Sequence, residues 1–442
     1  MTTVSAHGLV RKYDNAGTMS ASDRQKQSTR RTALAGLIGN AMEWFDFAVY
    51  GYFASVIGTQ FFPQSSPQAQ LLLTFAVFAV GFASRPIGGL LLGRVGDRIG
   101  RRTLLILSLL LMGGSTLAIG LLPTYESIGV AAPILLVTLR LVQGFSVGGE
   151  FTGSMVYTTE FAPLAKRGLI SSATAFGTTL GFILGSGSAW LIRATLEADE
   201  VAAWGWRIPF IASVLFVVIG IPLRRKLQET EEGLQAARQR PPVLRSLIAD
   251  WRPILQTFGI VAMTNAAYYL TFTYAVERRK QLTGEGGEVF LLANTASLFV
   301  VLFCKPLGGW LSDKIGRRRL MMALTGITMA SIYVALRAML YGSPRVFIGG
   351  QLLMAVPLGM ALGLQGAMLV EIFPLRTRVT SMSLAYSITL ALAGGTAPLV
   401  AAWLTDRFGQ PLAPAYYIML YGAIGLALMA PMMETNQRRL DM

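Results

Sequence analysis

Twelve apolar stretches, each closed by Gly, Pro or charge, follow one another at 32–60, 69–93, 103–122, 128–160, 168–192, 208–223, 253–276, 289–311, 320–339, 347–373, 379–404 and 414–433. An α-helix needs about 20 residues to cross the ~30 Å hydrocarbon core of a bilayer. Inside lipid every backbone N–H and C=O must be satisfied within the protein, so apolar runs of this length are read as helices. With 53% hydrophobic and 14% charged residues, against about 25% charged in soluble domains, the chain is expected to be an all-α membrane protein of twelve transmembrane helices.

Lys and Arg remain on the cytoplasmic side of a membrane. With the N-terminus inside, 27 of the 38 Lys and Arg residues fall in inner connections, 7 in outer ones and 4 within spans. Both termini are therefore expected in the cytoplasm. The division is a tail over 1–31, a six-helix half over 32–223, a charged linker over 224–252, a second half over 253–433 and a short tail over 434–442. One exception to the charge bias is Arg278, Arg279 and Lys280 on an outer loop. The basic residues form short clusters between apolar runs, so the net charge of +15 points to membrane lipids and not to nucleic acid. A single cysteine, Cys304, excludes an internal disulfide, and the single histidine, His7, lies in the N-terminal tail. Neither a metal nor any other cofactor is expected, apart from the proton as coupling ion.

Two loops repeat. Gly93-Arg-Val-Gly-Asp97-Arg98-Ile-Gly100-Arg101-Arg102 follows helix two, and Gly309-Trp-Leu-Ser-Asp313-Lys314-Ile-Gly316-Arg317-Arg318 follows helix eight, 216 residues later. Glu160-Phe-Ala-Pro163-Leu-Ala-Lys-Arg167 after helix four matches Glu371-Ile-Phe-Pro374-Leu-Arg-Thr-Arg378 after helix ten, at an offset of 211. Two pseudo-symmetric six-helix halves, related by an axis along the membrane normal, are the mark of a parallel-repeat transporter. Asp97 and Asp313 are expected to pair with cations and a helix N-terminus, forming latches that hold one access state. Anchoring to anionic lipid alone would require neither the glycines nor the repeated spacing.

A charge within a span costs about 2.5–3.5 kcal/mol on insertion scales, so each one needs a partner, a water-filled cavity or a function. Glu43 and Asp46 on helix one are three residues apart and share a face. Two carboxylates so close cannot both ionise cheaply, which makes them candidate proton carriers, with Glu150 and Arg140 of helix four in the same network. The alternative is that they pair with cations on neighbouring helices and fix packing. Arg85 and Lys305 each precede a proline at related depths of helices two and eight. Facing a central cavity, they would suit a carboxylate, with Arg85 gripping it in two places; internal neutralisation by Glu43, Asp46 or Glu150 is the competing possibility. Asn40, Tyr50, Asn265, Tyr268 and Tyr269 are further candidates to line the pathway, although aromatics in spans more often pack.

The two loops and Arg140-Leu-Val-Gln143-Gly144 resemble signatures of the major facilitator superfamily. Asn40-Ala-Met-Glu43-Trp44-Phe-Asp46-Phe, Arg85-Pro-Ile-Gly-Gly, Gly144-Phe-Ser-Val-Gly-Gly-Glu150, Trp204-Gly-Trp206-Arg207-Ile-Pro-Phe and Glu371-Ile-Phe-Pro374 resemble, more narrowly, its metabolite:proton symporter family of proline/betaine, α-ketoglutarate and citrate symporters. That resemblance implies proton-driven import through a central site and a multi-pass location in the bacterial inner membrane. Phe145–Gly153 and Thr264–Tyr269 are most similar to the proline/betaine members, whereas the sequence ends at Met442 without their long heptad-bearing tail, so osmotic sensing is not part of the expectation. The leading expectation is a monomeric symporter of a small carboxylate-bearing metabolite such as a di- or tricarboxylate. The alternatives are a symporter of zwitterionic osmolytes such as proline or betaine, an exporter or uniporter of organic anions, and a non-transporting receptor. An enzyme is disfavoured because no nucleophile, base and orienting group occur together at a recognisable spacing.

Overall fold

The computed structural model describes residues 21–99, 101–148, 150–160, 162–225, 243–283 and 288–436, with the side chains of 21–36, 93, 94, 96–98, 101, 150 and 244 outside that description. The expected positions Gly93, Asp97, Arg98, Arg101 and Glu150 thus lie outside the described side chains, as do most of the tail over 1–31 and of the linker. The described part is helical. We number its segments α1 (Ala21–Tyr52, continued by Ala54–Phe61), α2 (Pro67–Ala83 and Arg85–Ile99), α3 (Arg101–Leu121), α4 (Ala131–Ser146 and Glu150–Glu160), α5 (Arg167–Thr195) and α6 (Ala198–Arg225) in the first half. The second half holds α7 (Trp251–Tyr269 and Ala275–Thr283), α8 (Glu288–Ile315), α9 (Arg317–Tyr341), α10 (Pro344–Ile372), α11 (Arg378–Phe408) and α12 (Ala413–Met429). Among the described residues nine helices are long and apolar enough to span a bilayer; α1, α7 and the shorter α12 complete the twelve. A short helix, Val243–Ala249, ends the linker.

Repetition is visible in the packing as well as in the loops. The halves meet along a seam of α5 on α8 and along its repeat mate, α11 on α2, and α5 also touches α10. Within the first half α2 crosses α4 backbone to backbone. A Cβ at Gly144 would collide with the Gly81 carbonyl, and one at Gly88 with the Phe145 carbonyl. In the second half Gly363 lies against the Lys305 carbonyl in the same way, where α10 crosses α8. Burial by lipid-like tails supplies no drive between apolar helices, so close approach at small residues is what holds such crossings together.

Several helices are interrupted where the halves face each other. The first segment of α1 stops at Tyr52 and a second begins after Phe53, while α7 and α11 widen into π-turns at Leu270–Tyr274 and Leu390–Gly395. Single π-turns inside helices concentrate at functional sites. Gly316, between α8 and α9, has φ +105°, a region open to glycine and strained for any other residue.

Candidate functional site

The two carboxylates of α1 do not share a proton-sized space; each has its own arginine. Glu43 forms an ion pair with Arg85 of α2 at 2.6 Å. Asp46 pairs with Arg140 of α4 at 3.1 Å, with both side chains fully buried. Three residues along a helix turn the side chains enough for each to meet a different neighbour, so the expected carboxylate pair is two neutral ion pairs. Arg140 also donates to Gln143 at 3.0 Å, and Gln143 donates to Thr116 of α3 at 2.9 Å. The guanidinium of Arg140 lies 3.7 Å from the ring centre of Tyr50, whose hydroxyl donates to the Thr74 carbonyl. Tyr50 therefore belongs to this sealed network. Arg85 is held between the rings of Phe82, Phe47 and Trp44, at 4.3, 4.7 and 5.7 Å from their centres. Cations on aromatic faces gain most when desolvated.

Between the halves lies a cavity lined by Trp44, Phe151, Phe182, Asn265, Tyr268, Lys305, Gln365 and Tyr386, together with Thr178. Its ≈ 20 Å³ is room for one or two water molecules, so this conformer is contracted around the site. Lys305 is 1% exposed, and its ammonium donates to the Ala175 carbonyl at 2.6 Å and the Thr178 hydroxyl at 2.8 Å. Among the described residues no carboxylate lies within ion-pair distance of it. A buried cation served only by neutral acceptors is costly, and an arriving anion would relieve it. Among the described residues the buried Trp44 indole N–H and Tyr269 hydroxyl have no hydrogen-bond partner. Tyr269 stacks on Trp44 with ring centres 6.3 Å apart, and Phe182 packs edge-on to Tyr268 at 4.9 Å.

The remaining sequence candidates divide. Lys305, Asn265 and Tyr268 line the cavity, and Tyr269 backs its wall; Asn40 stands off it, directed at the Thr174 carbonyl at 3.5 Å. Arg85 is committed to Glu43 and does not line the cavity. Trp44, Phe151, Phe182, Tyr386, Gln365 and Thr178 also line it without having been singled out from sequence. The detectable signal was Gly177, Gly181 and Gly185 on α5, which bring that helix onto α1 and set Phe182 beside Trp44.

Contacts between the two halves cross both ends of the molecule. At the end carrying the repeated basic loops, Asp313 accepts the amides of Gly168 and Leu169 at 2.8 and 3.0 Å, capping the start of α5 from the other half. Glu371 holds Arg167 and Arg317, each at 3.3 Å, and accepts from Thr435 at 2.7 Å. Arg378 pairs with Glu160 at 2.7 Å. Glu434 accepts the amides of Arg317 and Arg318, and Arg318 donates to the Met429 carbonyl at 3.1 Å; Arg102 is exposed. At the opposite end Arg279 donates to the carbonyls that finish α9, at Leu340 and, at 2.8 Å, Gly342. Asn294 donates to the Tyr52 hydroxyl at 2.8 Å and to Ser186 at 3.0 Å. Of the basic residues that broke the charge bias, Arg279 caps α9 and Lys280 reaches the Tyr52 carbonyl of α1, whereas Arg278 donates to Gln281 of its own helix.

Comparison with known proteins agrees with this architecture. Residues 32–240 match the family model described as sugar (and other) transporter, and residues 282–439 match that of the Major Facilitator Superfamily. A proline/betaine transporter of Salmonella typhimurium is 36% identical over 431 residues, covering 93% of this chain and 85% of its own. A glycine betaine/proline/ectoine/pipecolic acid transporter of Dickeya dadantii is 36% identical, with 93% and 84% covered. A citrate-proton symporter of Klebsiella pneumoniae is 37% identical over 401 residues, with 88% of each chain covered. A solved proton:xylose symporter shares the fold with a TM-score of 0.73 at 20% identity, over 94% of this chain and 98% of that one.

Proposed function

Because the chain belongs to the Major Facilitator Superfamily, we propose that it is a proton-coupled symporter of the bacterial inner membrane that imports a small zwitterionic osmolyte, a carboxylate joined to a secondary or quaternary ammonium. The observation that carries this reading is the cavity itself: one buried lysine with no described carboxylate partner, surrounded by aromatic faces. Lys305 would take the carboxylate, and Trp44, Phe182, Tyr268 and Tyr386 would take the ammonium, since ring quadrupoles attract alkylated cations that carry few or no donors of their own. A di- or tricarboxylate, the leading expectation from sequence, needs several uncommitted cations. Arg85 is spoken for by Glu43, so the osmolyte alternative fits the site better, as do two of the three relatives named above.

For coupling, the Glu43–Arg85 pair is the proton carrier in this account, because Arg85 packs against Trp44 of the cavity wall. Protonating Glu43 would free Arg85 and loosen the wall, tying proton binding to the shape of the site. Asp46–Arg140 serves to hold α1, α3 and α4 in register. The charge bias sets the sidedness, with the basic loops facing the cytoplasm. Uptake of labelled glycine betaine into proteoliposomes under an inward pH gradient tests the substrate class. Betaine and proline should compete with each other and citrate should not. Citrate uptake that betaine leaves unaffected would favour the organic-acid reading, which the citrate-proton symporter relative supports.

A further inference from the structure

The end of the molecule opposite the basic loops is closed by an ion pair whose polarity matches a break in α1. The first segment of α1 ends at Tyr52 and the next begins at Ala54. A helix end presents partial negative charge on its last carbonyls, and a helix start presents partial positive charge on its first amides. Glu277 and Lys280 stand on the continuation of α7, beyond its π-turn, in the other half. The Glu277 side chain is fully buried and accepts the Ser55 amide at 2.9 Å. Lys280 pairs with Glu277 and donates to the Tyr52 carbonyl at 3.0 Å. The anion therefore meets the positive start and the cation meets the negative end.

We propose that Glu277 and Lys280 form a two-pronged latch on the broken end of α1 that keeps the outer mouth of the cavity shut. Each prong caps one side of the break, so that parting the halves at this end uncovers two helix termini and an ion pair together. The Asn294–Tyr52 contact lies at the same seam, and the π-turn at Leu270–Tyr274 separates the latch from Tyr268 and Tyr269 of the site. Movement of the wall at those tyrosines is thereby placed within one helix of the latch. The inference rests on the reading that the cavity opens alternately to the two sides.

Sided labelling tests it without solute or proton gradient. Leu362 lines the cavity; Leu362→Cys in a Cys304→Ala background is exposed in intact cells to a membrane-impermeant maleimide. Glu277→Gln and Lys280→Met should each raise the labelling rate about tenfold, the shift expected from losing one charge-assisted contact. The charge swap Glu277→Lys with Lys280→Glu retains a pair but opposes both helix ends, so it should label like the single variants. Ser55→Pro removes the amide donor, along with the serine hydroxyl, within the first turn of the second segment, where the lost N–H breaks no intrahelical bond, and it should also label faster. It keeps the test alive if the charged variants do not fold, as judged by size-exclusion profile. Parental labelling in the single variants or in Ser55→Pro would overturn the latch, and parental labelling in the charge swap would reduce it to a simple ion pair. Loss of osmolyte uptake by the parent would bear on the transport reading alone.

Discussion

In the proposed reading, Lys305 is the residue on which substrate recognition turns. Its ammonium rests on one carbonyl and one hydroxyl inside the membrane, an arrangement that leaves most of its charge available to an incoming carboxylate. Hydrogen bonds to charged groups contribute about 1.5–3 kcal/mol. Lys305→Gln is accordingly expected to raise the KM for betaine uptake by about 10–100-fold while lowering kcat less, measured as initial rates in proteoliposomes. Equal loss in both constants would place Lys305 outside the site. The charges themselves were legible in the sequence, because charge inside an apolar run announces itself. Their partners were not. Asp46 and Arg140 are 94 residues apart, and nothing local says that Glu43 turns to α2 and Asp46 to α4. The aromatic lining was hidden for the opposite reason, since Trp44, Phe151 and Phe182 look in sequence like any packing residue of a span.

At the scale of helices, small residues decide where backbones can touch. Hydropathy placed all twelve spans, and Gly144, Gly148 and Gly181 could be read as sites of close approach. The interruption of α1 at Phe53 could not, because Gly51 before it reads as one more small residue of a span and the ends of the break are satisfied from another helix. The α2–α4 crossing offers a direct check. Gly144→Leu forces a side chain into the Gly81 carbonyl and the Ser84 hydroxyl, and overpacking of this kind typically costs about 1–3 kcal/mol. The expected outcome is a Tm lower by several degrees in detergent, with Gly114→Leu, at an exposed position where an added Cβ meets nothing within 4 Å, left at the parental value.

Across the whole molecule the repeat supplies the frame, and departures from it supply the function. The cation-before-proline motifs Arg85-Pro86 and Lys305-Pro306 lie about one helical turn apart in the repeat, and Arg85 is neutralised by Glu43 while Lys305 has no described carboxylate partner; in the proposed reading this asymmetry gives a symmetric scaffold one anion-binding pole. The basic end is closed by the repeated loops, with Glu371 as the hub that ties Arg167 of one half to Arg317 of the other. Removing the hub should open that end. In inverted membrane vesicles Glu371→Gln is expected to speed maleimide labelling of Leu362→Cys about tenfold, with no matching increase in intact cells. The central claim, that solute and proton move together through the aromatic cavity and Glu43, is tested most directly by adding betaine to lightly buffered, de-energised proteoliposomes and following the external pH. Coupled import predicts an alkaline shift in the parent protein that disappears in Glu43→Gln. Betaine entry with no pH change, or an undiminished shift in Glu43→Gln, would contradict it.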